Sequence, residues 1–337
     1  MRPTSVMLFS LVIIVALVDP MPAFTQDANW TLPRTVDGHP DLQGVWANNN
    51  ATPLERPPEW AGKDALTDEE LAALQVAAAG AVDDGDALFG DQLVLAAIQQ
   101  TKAESYDPTT GNYNQFWIAE RDFNTRTSLV VDPPDGRIPP LTPSGQIRLK
   151  MREVYRSEHP ADTYTDRPLS ERCVTYGVPR LGAGYNSYYQ IFQSANYVVV
   201  LMEMNHDARV IPIDATPHLD DGIRQWHGDS RGRWDGETLV VETTNYAPKS
   251  IFRGSSSENL HMVERFTRIG RNVLNYEVVI SDPTTWTNPW TVMIPLMGTK
   301  DAIYEYACHE GNIGMEGILA GHRAEERVGA EGATDPR

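Results

Sequence analysis

The chain has 337 residues, 46 acidic against 28 lysine and arginine side chains, and a formal net charge of −18. Charge of that sign and size repels phosphate backbones and excludes nucleic acid as the expected partner. It carries no Gly-rich phosphate loop, dinucleotide fingerprint, Gly-x-Ser-x-Gly elbow or Ser-x-x-Lys pair, so neither a nucleotide cofactor nor a serine nucleophile is expected.

Arg2 precedes an almost unbroken apolar run from Val6 to Val18, which Asp19, Pro20 and Pro22 end. Ala23-Phe24-Thr25 then offers small residues at the −3 and −1 positions of a cleavage site. This is the layout of a signal peptide over residues 1–25, cut near Thr25, and it predicts a periplasmic or secreted protein. The run is shorter than the roughly 20 residues a membrane span needs, and no later segment is apolar enough to span.

Residues 26–114 read as an extended arm followed by surface helices. Gln26–Pro58 is rich in Pro, Asn and Asp, with one strand expected near Leu42–Ala47. Thr67-Asp68-Glu69-Glu70 is a capping box ahead of a helix, and a second helix is expected over Asp91–Lys102. From Gln115 the period changes to that of strands, beginning with Phe116-Trp117-Ile118 and Ser128–Val131. A helix is expected over Ser144–Tyr155, and Cys173–Tyr185 carries enough glycine and proline to be a loop.

A meander follows. Its expected strands are Tyr188–Phe192, Tyr197–Asn205, Arg209–Ile213, Thr238–Tyr246, Leu260–Ile269, Val273–Ser281, Trp290–Leu296 and Ile303–His309. Asp235-Gly236 is the strongest hairpin signal among them, with Trp234 and Glu237 expected as cross-strand neighbours. Many short strands without intervening helices predict a mainly β fold in which an antiparallel sheet over residues 115–320 closes into a barrel, or folds as a β-sandwich, to hide its edges. Residues 321–337 read as a charged, mobile tail.

Cys173 and Cys308 are the only cysteines. In an exported protein two cysteines pair, which here would add roughly 4 kcal/mol by closing a long loop; two buried free thiols are the alternative.

The candidate site residues come from the meander. In the strand Tyr197–Asn205 both faces are apolar, so Glu203 sits in an apolar row and needs either a partner, Arg209 being the nearest in the hairpin, or a proton. His206 stands at the hairpin tip, His227 opens the segment Trp226–Thr243, and His309 ends the last expected strand. His227, Asp229 and Arg231 alternate, so an extended chain would put them on one face. Asp229 would then orient a histidine and Arg231 would hold an anionic group. Tyr185, Tyr189 and Trp226, with Tyr188, Trp234, Trp286 and Trp290, supply rings for an apolar ligand. No His-x-x-x-His, His-Glu-x-x-His or His-x-His spacing is present, so no metal ligands are assigned.

Asp41-Leu42-Gln43-Gly44-Val45-Trp46 resembles the Gly-x-Trp signature that opens lipocalin-like barrels, and the later meander is similar to a calycin-type barrel. Other segments, such as Val131–Pro143 and Gly228–Tyr246, resemble those of widespread, uncharacterised exported bacterial proteins, a likeness that implies no activity. The expected function is acid–base chemistry of the lyase, isomerase, cyclase or hydrolase type, without a cofactor, on a small and largely apolar molecule. His206, His227 and Glu203 would move protons, with His309 at the same rim. The alternatives are a non-catalytic lipocalin-like carrier of a hydrophobic ligand and a divalent-metal-dependent oxidase or hydrolase. The sequence leaves the oligomeric state open.

Overall fold

The computed structural model describes residues 30–82, 87–101, 114–310 and 312–333. The signal-peptide reading and the cleavage position lie outside these residues. The described chain is mainly β, with ten strands: β1 (Gly44–Ala47), β2 (Val130–Asp132), β3 (Tyr188–Gln193), β4 (Tyr197–Met202), β5 (Asp207–Pro212), β6 (Asp229–Asp235), β7 (Thr238–Thr244), β8 (His261–Gly270), β9 (Val273–Ser281) and β10 (Trp290–Thr299). Four helices accompany them: α1 (Asp68–Ala81), α2 (Gln92–Gln99), α3 (Pro143–Glu158) and α4 (Ile313–Ala333).

Nine strands form one antiparallel sheet in the order β5-β4-β3-β1-β10-β9-β8-β7-β6, and β2 adds to β10. The sheet is therefore a meander whose first strand pairs with its last. β1 occupies residues 297–299 of β10, and β2 covers the neighbouring stretch at Thr291 and Val292. The sheet is nearly closed into a barrel, as expected, and the β-sandwich alternative falls away. The open seam lies between β5 and β6.

Gly232 makes that seam possible. A Cβ there would stand 3.0 Å from the Ile211 side chain and 3.4 Å from the Pro212 carbonyl, so the strands approach only because nothing projects between them. Gly232→Val is expected to destabilise the fold by about 1–3 kcal/mol through overpacking. A urea midpoint unchanged from the native protein would contradict this role.

The barrel interior is packed solid. Inward rows such as Val198–Val200–Met202, Leu274–Tyr276–Val278–Ile280 and Val292–Ile294–Leu296 are buried and belong to one core. The outward row of β4 is only half-buried, so this strand is not covered on both faces as its composition suggested. The helices pack outside. α1 starts at the expected capping box, with Thr67 and Glu70 satisfying each other's backbone N–H groups, and meets α2 through Ala78, Ala81, Leu93 and Ala97.

Five local expectations are corrected. Phe116-Trp117 lies in a 3-10 turn over Gln115–Trp117 rather than a strand, with both rings exposed. Ile303–His309 forms no strand, because β10 already finds its partners in β1, β2 and β9. β4 ends at Met202, and Glu203 opens a 3-10 turn through His206. At the β6–β7 hairpin Asp235 pairs with Thr238 and Trp234 faces Leu239, leaving Gly236-Glu237 as the loop; Glu237 instead meets Arg34 at 2.7 Å. Residues 321–333, expected as mobile tail, continue α4, which Arg323 ties to the Ala161 and Asp162 carbonyls.

Candidate functional site

Glu203 is the centre of the clearest site. It is 6% exposed and lies where the chain leaves β4. Burial holds its carboxyl above the ordinary glutamate range, against hydrogen bonds from the Tyr304 and Tyr188 backbone. The Tyr304 N–H reaches Oε1 at 3.5 Å, and no ion pair to Glu203 exists among the described residues. Arg209, the expected partner, turns into the barrel instead and pairs with Glu264.

Glu203 lines a groove of about 870 Å³. Phe116 and Trp117 form one lip, Tyr185 and Tyr188 one wall, and Tyr304 and Tyr306 the other. Phe116, Trp117 and Tyr304 are 83%, 61% and 73% exposed, an uncommon presentation of three large rings around one opening. Asp301, Glu305, Asn186 and Asn312 add polar groups to the lining.

The second wall, residues 301–310 with Asn312, is a strap without regular strand structure. The disulfide between Cys173 and Cys308 fixes it, and the Asn312 side-chain amide donates to the Glu171 carbonyl at 3.1 Å. The pairing predicted from the two cysteines is present, and an intramolecular disulfide points to an oxidising compartment.

Backbone strain gathers at the same place. Asn205 and His206, consecutive and both left-handed at φ 58° and 55°, follow Glu203; Asn186 on the wall has φ 42° and Cys173 has φ 56°. Non-glycine residues held in this region cluster at functional sites.

The other expected site residues distribute over several environments. His206 is exposed one turn from Glu203, and His309 is exposed beside Cys308. Tyr189 lies inside the barrel, its hydroxyl donating to the Arg180 carbonyl at 2.6 Å. Trp226 lines a separate cavity of about 200 Å³ with Thr175 and Tyr246.

His227 does not join Asp229 and Arg231 in a row. Gly228 at φ 70° breaks the extended run, and a Cβ there would strike the Thr244 carbonyl at 2.5 Å. His227 Nε2 instead lies 2.7 Å from the Thr175 hydroxyl, which donates to Asp207 at 2.8 Å and accepts from the Gly177 N–H. Because the carboxylate takes the threonine proton, the imidazole Nε2–H is the donor to Thr175. This order fixes the loops and leaves Thr175 unactivated as a nucleophile.

Asp229 is buried and does orient a histidine, but the histidine is His218, at 2.8 Å. Arg231 spends its charge on Asp229 at 2.8 Å and donates to the Pro217 carbonyl, so it is not free for a ligand anion.

Among the described residues, Asp162, His322 and Glu326 are the one group of ligating side chains close enough to share a metal ion. None of the expected rim histidines belongs to this group, and Arg323 holds the Glu326 carboxylate at 2.7 Å.

Inside the barrel, Arg209 and Glu264 form a two-pronged pair at 2.7 and 2.9 Å, and the Tyr276 hydroxyl donates to Glu264 at 2.6 Å. Burial alone would lower the arginine's pKa; the carboxylate outweighs it and the net shift is upward. The void beside this pair is about 10 Å³, room for one water at most.

The fold and site thus define a nearly closed antiparallel β-barrel with a filled interior and an aromatic groove on its flank. No family model, curated protein or solved structure matches the chain.

Proposed function

We propose that the protein is an exported enzyme that performs acid–base chemistry on a small, uncharged, ring-bearing molecule bound in the flank groove, with Glu203 as the proton donor. The observation that carries this reading is a buried carboxyl with a raised pKa and no ion pair among the described residues, set between exposed aromatic rings. A carboxyl whose pKa is raised by burial holds its proton to higher pH than a free glutamate, which favours donation to a substrate atom. The rings offer stacking surfaces to a flat or cyclic substrate, and the acidic lining disfavours an anionic one. His206, one turn away and exposed, is suited to exchange protons between Glu203 and solvent.

The test is a panel of neutral chromogenic p-nitrophenyl esters and glycosides, assayed with the native protein, Glu203→Gln and Trp117→Ala. Turnover of a responsive probe is expected to fall about 10²–10⁴-fold in Glu203→Gln, while Trp117→Ala chiefly raises KM. Turnover indifferent to both changes sinks the assignment. Binding of a probe in the groove without any turnover selects the second reading, a carrier, though the filled interior gives a lipocalin-like cup no room and would place the ligand on the flank.

The raised pKa also has a stability signature. Glu203 supports the fold fully below the ordinary glutamate pKa of about 4.3 and loses that support as pH rises through its higher folded value. Glu203→Gln is therefore expected to gain stability relative to the native protein between about pH 4 and pH 8. Urea midpoints measured across that range check it; a constant difference contradicts the assignment of a raised pKa.

A further inference from the structure

α3 presents two adjacent stripes. Arg148, Arg152 and Arg156 recur every four residues, and Ile147, Met151 and Tyr155 recur beside them. Both stripes face a cavity of about 740 Å³ closed by residues 165–169 and by Lys249 and Ile251. The apolar stripe is exposed.

The lining of this cavity keeps an excess of positive charge. Arg152 donates to the Gly254 and Ser255 carbonyls at 2.9 and 3.0 Å, and Arg148 donates to the Thr284 carbonyl and the Thr285 hydroxyl. Lys249 donates to the Thr165 carbonyl at 3.2 Å. These acceptors are neutral, so the donors are satisfied while the positive charges remain. Arg167 is neutralised by Glu171 at 2.7 Å. The one carboxylate in the lining, Asp166, is held by neutral donors, the Tyr155 hydroxyl and the Thr163 N–H, so it keeps its charge and offsets one of the four cations Arg148, Arg152, Arg156 and Lys249. Asp282, buried and held by Ser256, Thr284 and Thr285, offsets part of the Arg152 charge from outside the lining. Arg156 makes no hydrogen bond or ion pair among the described residues and borders both this cavity and the one beside Trp226. A cationic cavity is unexpected on a chain of net charge −18.

We propose that this cavity binds an anionic amphiphile, a small molecule with one acidic head and an aliphatic or aryl body. The head sits on Arg156 in the field of Arg152 and Lys249. The body lies along Ile147, Met151, Leu169 and Ile251. An unpaired guanidinium offers two parallel N–H groups to a carboxylate, and the apolar lining covers the remainder of the ligand. This site is separate from the Glu203 groove and does not depend on the function proposed there.

Isothermal titration with dodecanoate, below its micellar concentration, tests the proposal against dodecan-1-ol as the uncharged analogue. One dodecanoate per chain is expected, with the alcohol at least about tenfold weaker. Arg156→Gln is expected to weaken dodecanoate about 10–100-fold, the effect of losing one charge-assisted contact. Met151→Asp is expected to weaken acid and alcohol alike, and Arg34→Gln, a cation change elsewhere on the surface, to leave both unchanged. Equal binding of acid and alcohol, insensitivity to Arg156→Gln, or non-saturating uptake overturns it. Binding to anionic phosphatidylglycerol vesicles without binding of free dodecanoate also overturns it, and makes α3 a membrane-surface helix instead.

Discussion

Glu264→Gln is expected to cost about 3–5 kcal/mol of stability, the largest loss from any single polar substitution in this fold. Glutamine keeps the shape of the side chain but strands the Arg209 charge in an interior with room for one water. Arg209 and Glu264 are 6% and 1% exposed, and Arg209 Nε already lacks a hydrogen-bond partner. Tyr276 would also exchange a charged acceptor for a neutral one. The pair itself is not needed for a stable core. Arg209→Met combined with Glu264→Leu is expected to restore most of the loss, because two well-packed apolar chains avoid both desolvation penalties. Urea denaturation with the disulfide intact measures all three proteins. A loss below about 1 kcal/mol in Glu264→Gln would mean that the arginine finds another counter-charge or solvent.

Removing the disulfide through Cys173→Ala with Cys308→Ala is expected to cost about 2–5 kcal/mol, toward the upper end because the bond closes a loop of 135 residues. The local effect matters more for function. Residues 301–310 form no strand, and the bond, the Asn312 contact and the Tyr304 N–H on Glu203 are among the contacts that hold this wall against the body. Without the bond, amide exchange in residues 301–310 is expected to rise while exchange in β7–β9 stays slow. Glu203 then gains solvent, and its pKa falls back toward the ordinary glutamate value, since burial was the main cause of its shift. Hydrogen exchange followed by mass spectrometry checks the first consequence, and the pH profile of stability checks the second. Unchanged exchange in residues 301–310 would assign the wall's order to other contacts.

The barrel was legible because its strands obey local rules. Inward apolar residues alternate with outward polar ones along β8 and β9, and tight turns such as Gly236-Glu237 and Arg271-Asn272 permit only antiparallel neighbours. The capping box of α1 was legible for the same reason, since all its atoms lie within four residues. An acid at the inward position of β8, between Met262 and Phe266, was a readable sign of a buried partner for Glu264, but alternation alone could not say that Arg209, 55 residues earlier, supplies it.

The site was legible only in part. Glu203 stands out from its apolar surroundings in the sequence, and Tyr185 does line the same groove. Phe116, Trp117 and Tyr304 reach that groove from segments whose composition suggests strands. Their place is set by which sheet edges were already occupied. The row of His227, Asp229 and Arg231 failed at Gly228, where one left-handed residue turns the histidine toward Thr175 and leaves Asp229 to His218.

By itself the sequence determined the β class, the meander of hairpins, the helix start at Thr67 and the two cysteines available for a bond. These follow from side-chain period, turn geometry and composition, which act over a few residues. Tertiary structure alone decided that the interior is filled, that Arg209 answers Glu264, and that Glu203 is buried, its pKa raised, beneath a strap pinned from 135 residues away. Desolvation and long-range pairing set those outcomes, and both depend on where distant segments come to rest.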